Sequence, residues 1–113
     1  MFQFTTHKKS PYIWASLSGK LISIDDADQL FNEINHQLSK TNHSLILNLK
    51  EVDYMNSSGF NTFIKLLTIT RNNGGDTILC NINESINQLL LTTKLNTIFK
   101  IENNINNIDE INI

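Results

Sequence analysis

The run Leu45-Ile-Leu-Asn-Leu49 reads as a buried strand, and beyond it Phe60, Phe63, Ile64 and Leu67 recur at i, i+3, i+4 and i+7, one face of a helix. Between the two lies Asn56-Ser57-Ser58-Gly59. A change from strand period to helix period across a polar junction is the mark of a chain that crosses over a sheet, and repeated along the sequence it demands a largely parallel sheet with right-handed connections.

The change does repeat. Phe2 to Thr6 and Tyr12 to Ser18 are predicted as strands joined through His7-Lys-Lys-Ser-Pro11, whose polar residues and proline suit a turn. Ser23 or Asp25 can cap a helix running to about Leu38, with Ile24, Ala27, Leu30, Phe31, Ile34 and Leu38 on one side and Asp26, Asp28 and Glu33 mostly off it. The strand from Ser44 to Leu49 follows, then a helix from the serine junction to about Arg71, ended by Asn72-Asn-Gly-Gly75. Thr77 to Cys80 is a fourth strand, Asn83 caps a helix carrying Ile86, Leu89 and Leu90, and Ile98 to Ile101 is a short fifth strand. In the Asn- and Ile-rich end, residues 102–113, Ile105, Ile108 and Ile111 recur every three residues and predict a last short helix or tail. The expected fold is a single α/β domain over residues 1–113 in the order β-β-α-β-α-β-α-β-α. Tyr12 and Trp14 share the strand face opposite Ile13 and Ala15, and two readings of that face stay open, a core and an apolar contact patch.

Composition narrows the function. With 113 residues, 40% of them hydrophobic, the chain can bury roughly two-thirds of its unfolded surface in one core. A net charge of −2 and nine scattered Lys and Arg residues leave no basic stripe for DNA or RNA. No apolar run approaches the roughly 20 residues that span a bilayer, and the start Met1-Phe-Gln-Phe-Thr-Thr lacks the pattern of a signal peptide. The single Cys80 has no partner for an internal disulfide and, on a strand, reads as a small buried hydrophobe. The expectation is a cytoplasmic protein that neither binds nucleic acid nor inserts in a membrane.

The serine junction is the candidate site, because the N–H groups and positive dipole end of a helix start favour an oxygen acceptor or a phosphate. Taken by themselves, Ser57 and Ser58 read as N-capping residues. Neither begins a capping box, since Phe60 and Asn61 stand three positions on. The glycines of a hydrolase elbow and of a phosphate-cradling loop are missing as well. Gly59, costly in an early helical turn, predicts the close approach of another backbone. His7, His36 and His43 lack the spacing of metal ligands, and Asp25-Asp-Ala-Asp28 lacks the glycine and distant Glu of a calcium loop. No metal or cofactor is expected.

Strand, Asn56-Ser57-Ser58-Gly59 and helix in that order resemble the STAS domains, the family of anti-sigma factor antagonists and sulfate-transporter tails. Ser18-Gly19-Lys20-Leu21, the middle segment Leu45 to Phe60, and Asn73-Gly-Gly-Asp-Thr-Ile-Leu-Cys80 extend the resemblance over nearly the whole chain. It implies a mixed sheet with helices mainly on one side and no catalytic activity. It also implies that Ser57 is the phospho-acceptor of a partner serine kinase that sequesters a sigma factor, with a phosphatase to reset it, and that Asn56, Ser58, Gly59, Asn61, Thr62 and Lys65 meet the partner. From Tyr54 to Ile64 no residue is charged, so a phosphate on Ser57 is the only anion in that stretch. Asn56 and Ile22 stand where the family has Asp. Those departures carry an alternative, a scaffold subunit of a transporter or lipid-transfer assembly that is never phosphorylated.

Overall fold

The computed structural model describes residues 1–110, in which five strands form one sheet in the order β1-β2-β3-β4-β5. The first two, β1 (Gln3–Lys9) and β2 (Tyr12–Leu21), pair antiparallel from Gln3 opposite Ser18 to Lys9 opposite Tyr12. The predicted turn at His7 to Pro11 is thereby shortened: His7, Lys8 and Lys9 belong to the strand. An edge strand needs no apolar side chains to pair its backbone, and lysines on it discourage pairing with other chains.

The remaining strands, β3 (Ser44–Met55), β4 (Thr77–Cys80) and β5 (Lys100–Glu102), are parallel to β2 and to one another. The helices α1 (Ile24–Gln37), α2 (Ser57–Asn72) and α3 (Glu84–Thr93) make the connections. Their caps are Ser23, Asn56 and Asn83, each accepting bonds from backbone N–H groups of the first turn.

Alternation along the strands divides the apolar residues between two faces. Ile13, Ala15, Leu17, Leu45, Leu47 and Leu79 join Ala27, Leu30, Ile34, Phe60, Phe63, Leu66, Ile86 and Leu90 in the main core under the helices. Trp14, Ile46, Ile78 and Cys80 form a second cluster, which Ile108 completes and against which Tyr12 and Ile105 pack. The open question about Tyr12 and Trp14 is answered by this second core. Burial pushes the Cys80 thiol up to about 12.

The last helix predicted from the isoleucine spacing does not form within the described residues. After β5 the chain is irregular as far as a single 3-10 turn at Ile108–Glu110, and Ile111 lies outside the described residues. Asparagine side chains compete with the helix for its backbone groups: Asn107 Oδ1 accepts from Asp109 N at 2.9 Å, and Asn104 takes a positive φ of 62°. The isoleucine stripe instead faces the sheet through Ile105 and Ile108.

β3 continues well past the predicted end at Leu49. Beyond Asn48 it has lost β4 as a neighbour and pairs only with the end of β2, from Ser18 opposite Glu51 to Leu21 opposite Met55, with two register shifts. The charges of Lys50, Glu51 and Asp53 stay in solvent on this two-stranded extension while Val52 and Met55 point into the core. Gly19, in the part of β2 that pairs with the extension, adopts φ +89°, and a Cβ there would stand 2.1 Å from the Met1 carbonyl oxygen, so the first residues can pass close beside it. The extension delivers the serine junction to the end of the sheet.

Candidate functional site

Asn56 leaves β3 in an extended conformation and ties the junction down on two sides. Its backbone N–H donates to Leu21 O at 3.2 Å and its Nδ2 to Ile22 O at 2.9 Å, fixing the loop to the connection between β2 and α1. Its Oδ1 accepts from Ser58 N at 3.1 Å and Gly59 N at 3.4 Å. The cap of α2 is therefore Asn56, and the reading of Ser57 and Ser58 as caps is corrected. The reason is chemical: Asn supplies a cap as good as Ser, and its amide N–H₂ can hold the neighbouring connection at the same time, which a hydroxyl in that place could not reach to do.

Relieved of capping, Ser57 is exposed in the first helical position and Ser58 is half-buried in the second, and neither hydroxyl has a protein hydrogen-bond partner among the described residues. Gly59 turns inward. A Cβ there would lie 3.1 Å from Leu21 Cγ and Cδ2 and 3.2 Å from Met55 Cε, so the glycine makes room for core side chains rather than for an approaching backbone. Phe60 and Phe63, packed edge to face with centroids 6.2 Å apart, then anchor the helix in the core.

Of the other residues expected to meet a partner, Asn61 and Lys65 are exposed, while Thr62 is buried with its hydroxyl donating to Ser58 O at 3.2 Å. Ser58, Asn61, Thr62 and Lys65 line one wall of an open groove of about 130 Å³ whose other wall is Ile24, Ala27 and Asp28 of α1. Lys65 Nζ also stands 5.8 Å from the centre of the Phe31 ring.

The α1 wall is what sequence reasoning missed. Ile24, expected on the apolar side of α1, is 67% exposed, because at the first helical position it stands above the core and Ala27 takes the inward place. Ile22, before the Ser23 cap, is 49% exposed. The stretch around Ser57 is uncharged along the chain, yet Asp28 and Lys65 bring one charge of each sign to the adjoining groove. Asp28 lies one turn from Ile24, a spacing that places both on the same side of the helix and could have flagged them. No three His, Cys, Asp or Glu side chains come together as metal ligands among the described residues, and no described helix is long and apolar enough to cross a membrane.

The STAS domain model matches residues 9–108, which takes in every strand except most of β1, all three helices and the serine junction. The chain belongs to the STAS domain family. Its fold is similar to that of a Thermotoga maritima protein assigned as an anti-sigma factor antagonist, with a TM-score of 0.80 and 21% identity over 95% of this chain and 89% of that one. It is similar also to the unphosphorylated form of the anti-sigma factor antagonist SpoIIAA, at TM-score 0.79 and 17% identity over 96% and 91% of the two chains. A third likeness is to an anti-sigma factor antagonist from Mycobacterium paratuberculosis, at 0.78 and 14% over 97% and 90%. At these identities the likeness is one of fold. This STAS domain shares that fold with them over nearly its whole length.

Proposed function

We propose that this STAS domain is a non-catalytic regulatory protein of the anti-sigma factor antagonist type, which docks through the head of α2 on a serine kinase that doubles as an anti-sigma factor and is phosphorylated by it on Ser57. The observation that carries the reading is the division of labour at the junction. Asn56 caps the helix, so the Ser57 hydroxyl is exposed and uncommitted. In the transfer the Ser57 oxygen would attack the γ-phosphorus of the kinase's ATP, the bond to the β-phosphate oxygen would break, ADP would leave, and the hydroxyl proton would pass to a base on the kinase. On this reading the protein works in the cytoplasm, where that ATP is.

The docking surface comprises the exposed or half-exposed Asn56, Ser57, Ser58, Asn61 and Lys65, with Gly59 and Thr62 supporting it from within. A phosphate on Ser57 adds about −1.5 to −2 charge at the positive end of α2. Within this chain that position suits an anion. A partner shaped for a neutral hydroxyl must desolvate the same anion or let go, which makes release the expected consequence. A phosphatase would then restore binding.

Incubation with such a kinase and ATP, followed by intact-mass measurement, tests the proposal. Wild type and Ser58→Ala are expected to gain one phosphate and Ser57→Ala none; an unmodified wild type, or equal modification of Ser57→Ala, would overturn it. A second reading, a constitutive scaffold in a transporter or lipid-transfer assembly, is favoured by the neutral Asn56 amide bonded to Ile22 O, where the family carries acids. Under that reading binding of the partner is indifferent to Ser57→Asp, whereas a switch is weakened by it.

A further inference from the structure

The second cluster is covered on its outer side by chain that has almost no backbone order of its own. After Glu102, whose carbonyl accepts from Asn81 N at 3.1 Å, residues 103–110 leave the sheet edge and cross its helix-free face. At its start Asn103 Oδ1 accepts from Ile82 N at 3.3 Å, and farther on one side chain of the body grips the segment. The Asn81 amide takes both backbone groups of Ile105: Oδ1 accepts from Ile105 N at 3.0 Å and Nδ2 donates to Ile105 O. Asn81 holds this pose at φ +58°, a conformation that Asn tolerates better than other side chains do.

The same Nδ2 donates to Asn48 Oδ1 at 2.8 Å, and Asn48 Nδ2 donates at 3.3 Å to Ser16 Oγ, which also accepts from Trp14 Nε1 at 2.8 Å. A polar row thus runs from the segment across β4, β3 and β2 to the indole, alongside the apolar strip. Farther along, Ile108 is seated on Trp14, Ile46, Ile78 and Cys80, and Asp109 pairs with Lys9 on the edge strand at the surface. Exposed ion pairs of that kind hold little.

The ordering of eight backbone residues is set here against two isoleucine side chains, one amide clamp, one exposed hydrogen bond at Asn103 and one surface ion pair. That is the balance of a locally labile unit rather than of a cooperative core. Beneath it Trp14, Ile46, Ile78 and Cys80 belong to β2, β3 and β4, whose ladder pairs backbone to backbone without any residue of the segment.

We propose that residues 103–110 are a strap that releases as a unit, hinged after Glu102 and latched by Asn81, uncovering Trp14 and Cys80 while the sheet and its helix-side core stay folded. The helix-free face is thus buried when Asn81 holds Ile105 and open to solvent when it does not.

The protein carries its own probes, because its only Trp and its only Cys both lie under the strap. Cys80 labelling of the full chain by a thiol-specific disulfide reagent is measured from zero denaturant to below the unfolding midpoint, beside amide exchange of Ile105 and of β4. The expected labelling has less than a third of the denaturant dependence of global unfolding, and Ile105 exchanges with it while the β4 amides stay protected. Asn81→Gly removes the latch but keeps the positive φ, and is expected to speed labelling at least tenfold with unchanged helical circular dichroism. Labelling of wild type with the full denaturant dependence of global unfolding, or exchange of β4 together with Ile105, would overturn the strap. Were Asn81→Gly to unfold, the latch would be part of the global core and the proposal would likewise be overturned.

Discussion

The helix face of the sheet is sealed by three helices whose backbones satisfy their own hydrogen bonds, whereas the opposite face is sealed by a strap whose backbone relies on asparagine side chains. On the first face every apolar side chain reinforces an element that is already ordered. On the second, two isoleucines must order the element as well as fill the surface. The two faces are accordingly expected to differ in what a lost side chain costs, and Phe63 and Ile108 make the sharpest contrast.

Phe63→Ala empties a fully buried site beneath α2 and is expected to cost about 3–5 kcal/mol, read from the urea midpoint with the denaturant slope unchanged. Ile108→Ala is expected to cost about 1–2 kcal/mol in the same experiment, less than a core isoleucine usually does, because freeing the strap returns conformational entropy to the chain. Equal costs would break the distinction between the faces. Asn56→Ala removes the α2 cap and its bond to Ile22 O and is expected to cost about 1 kcal/mol, with Ser57→Ala near zero since its hydroxyl holds nothing. A cost at Ser57 as large as at Asn56 would return the capping role to the serine.

The last effect vanishes at neutral pH and is confined to alkaline solution. The folded Cys80 thiol is held up to about 12 by burial, above its ordinary 9.0, so it is the folded state that keeps the proton. Its contribution to stability is fully present below pH 9 and is lost as pH rises from there toward 12. Between wild type and Cys80→Ala the stability difference should be constant up to pH 9 and shift in favour of the variant above it. A difference that stays flat would mean that the strap face admits water to the thiol.

The same contrast explains what could be read from the amino acids. Strand and helix periods under the helices, with Ser23 and Asn83 as caps and Gly74 past the end of α2, follow from local rules, and the sheet order follows from their alternation. The strap does not. Ile105 and Ile108 have a helical spacing, but the groups that deny them a helix are Asn81, far away in sequence, and the asparagines beside them. The site shows the same limit. The serine junction is legible as a helix start, yet the choice of Asn56 as cap depends on Ile22 O, and the partner wall of Ile24 and Asp28 depends on how α1 crosses α2. Gly59 misled for the same reason, since the side chains that need its space come from β2 and the end of β3.

The proposed switch at the junction rests on Ser57 being a free hydroxyl whose phosphorylation weakens partner binding. The most direct measurement is the affinity of the kinase partner, by isothermal titration at one salt concentration, for the unmodified chain and for the chain carrying phosphate on Ser57. The expected result is binding at least tenfold weaker after phosphorylation, with Asn56→Ala intermediate. Equal affinity for the two forms would contradict it.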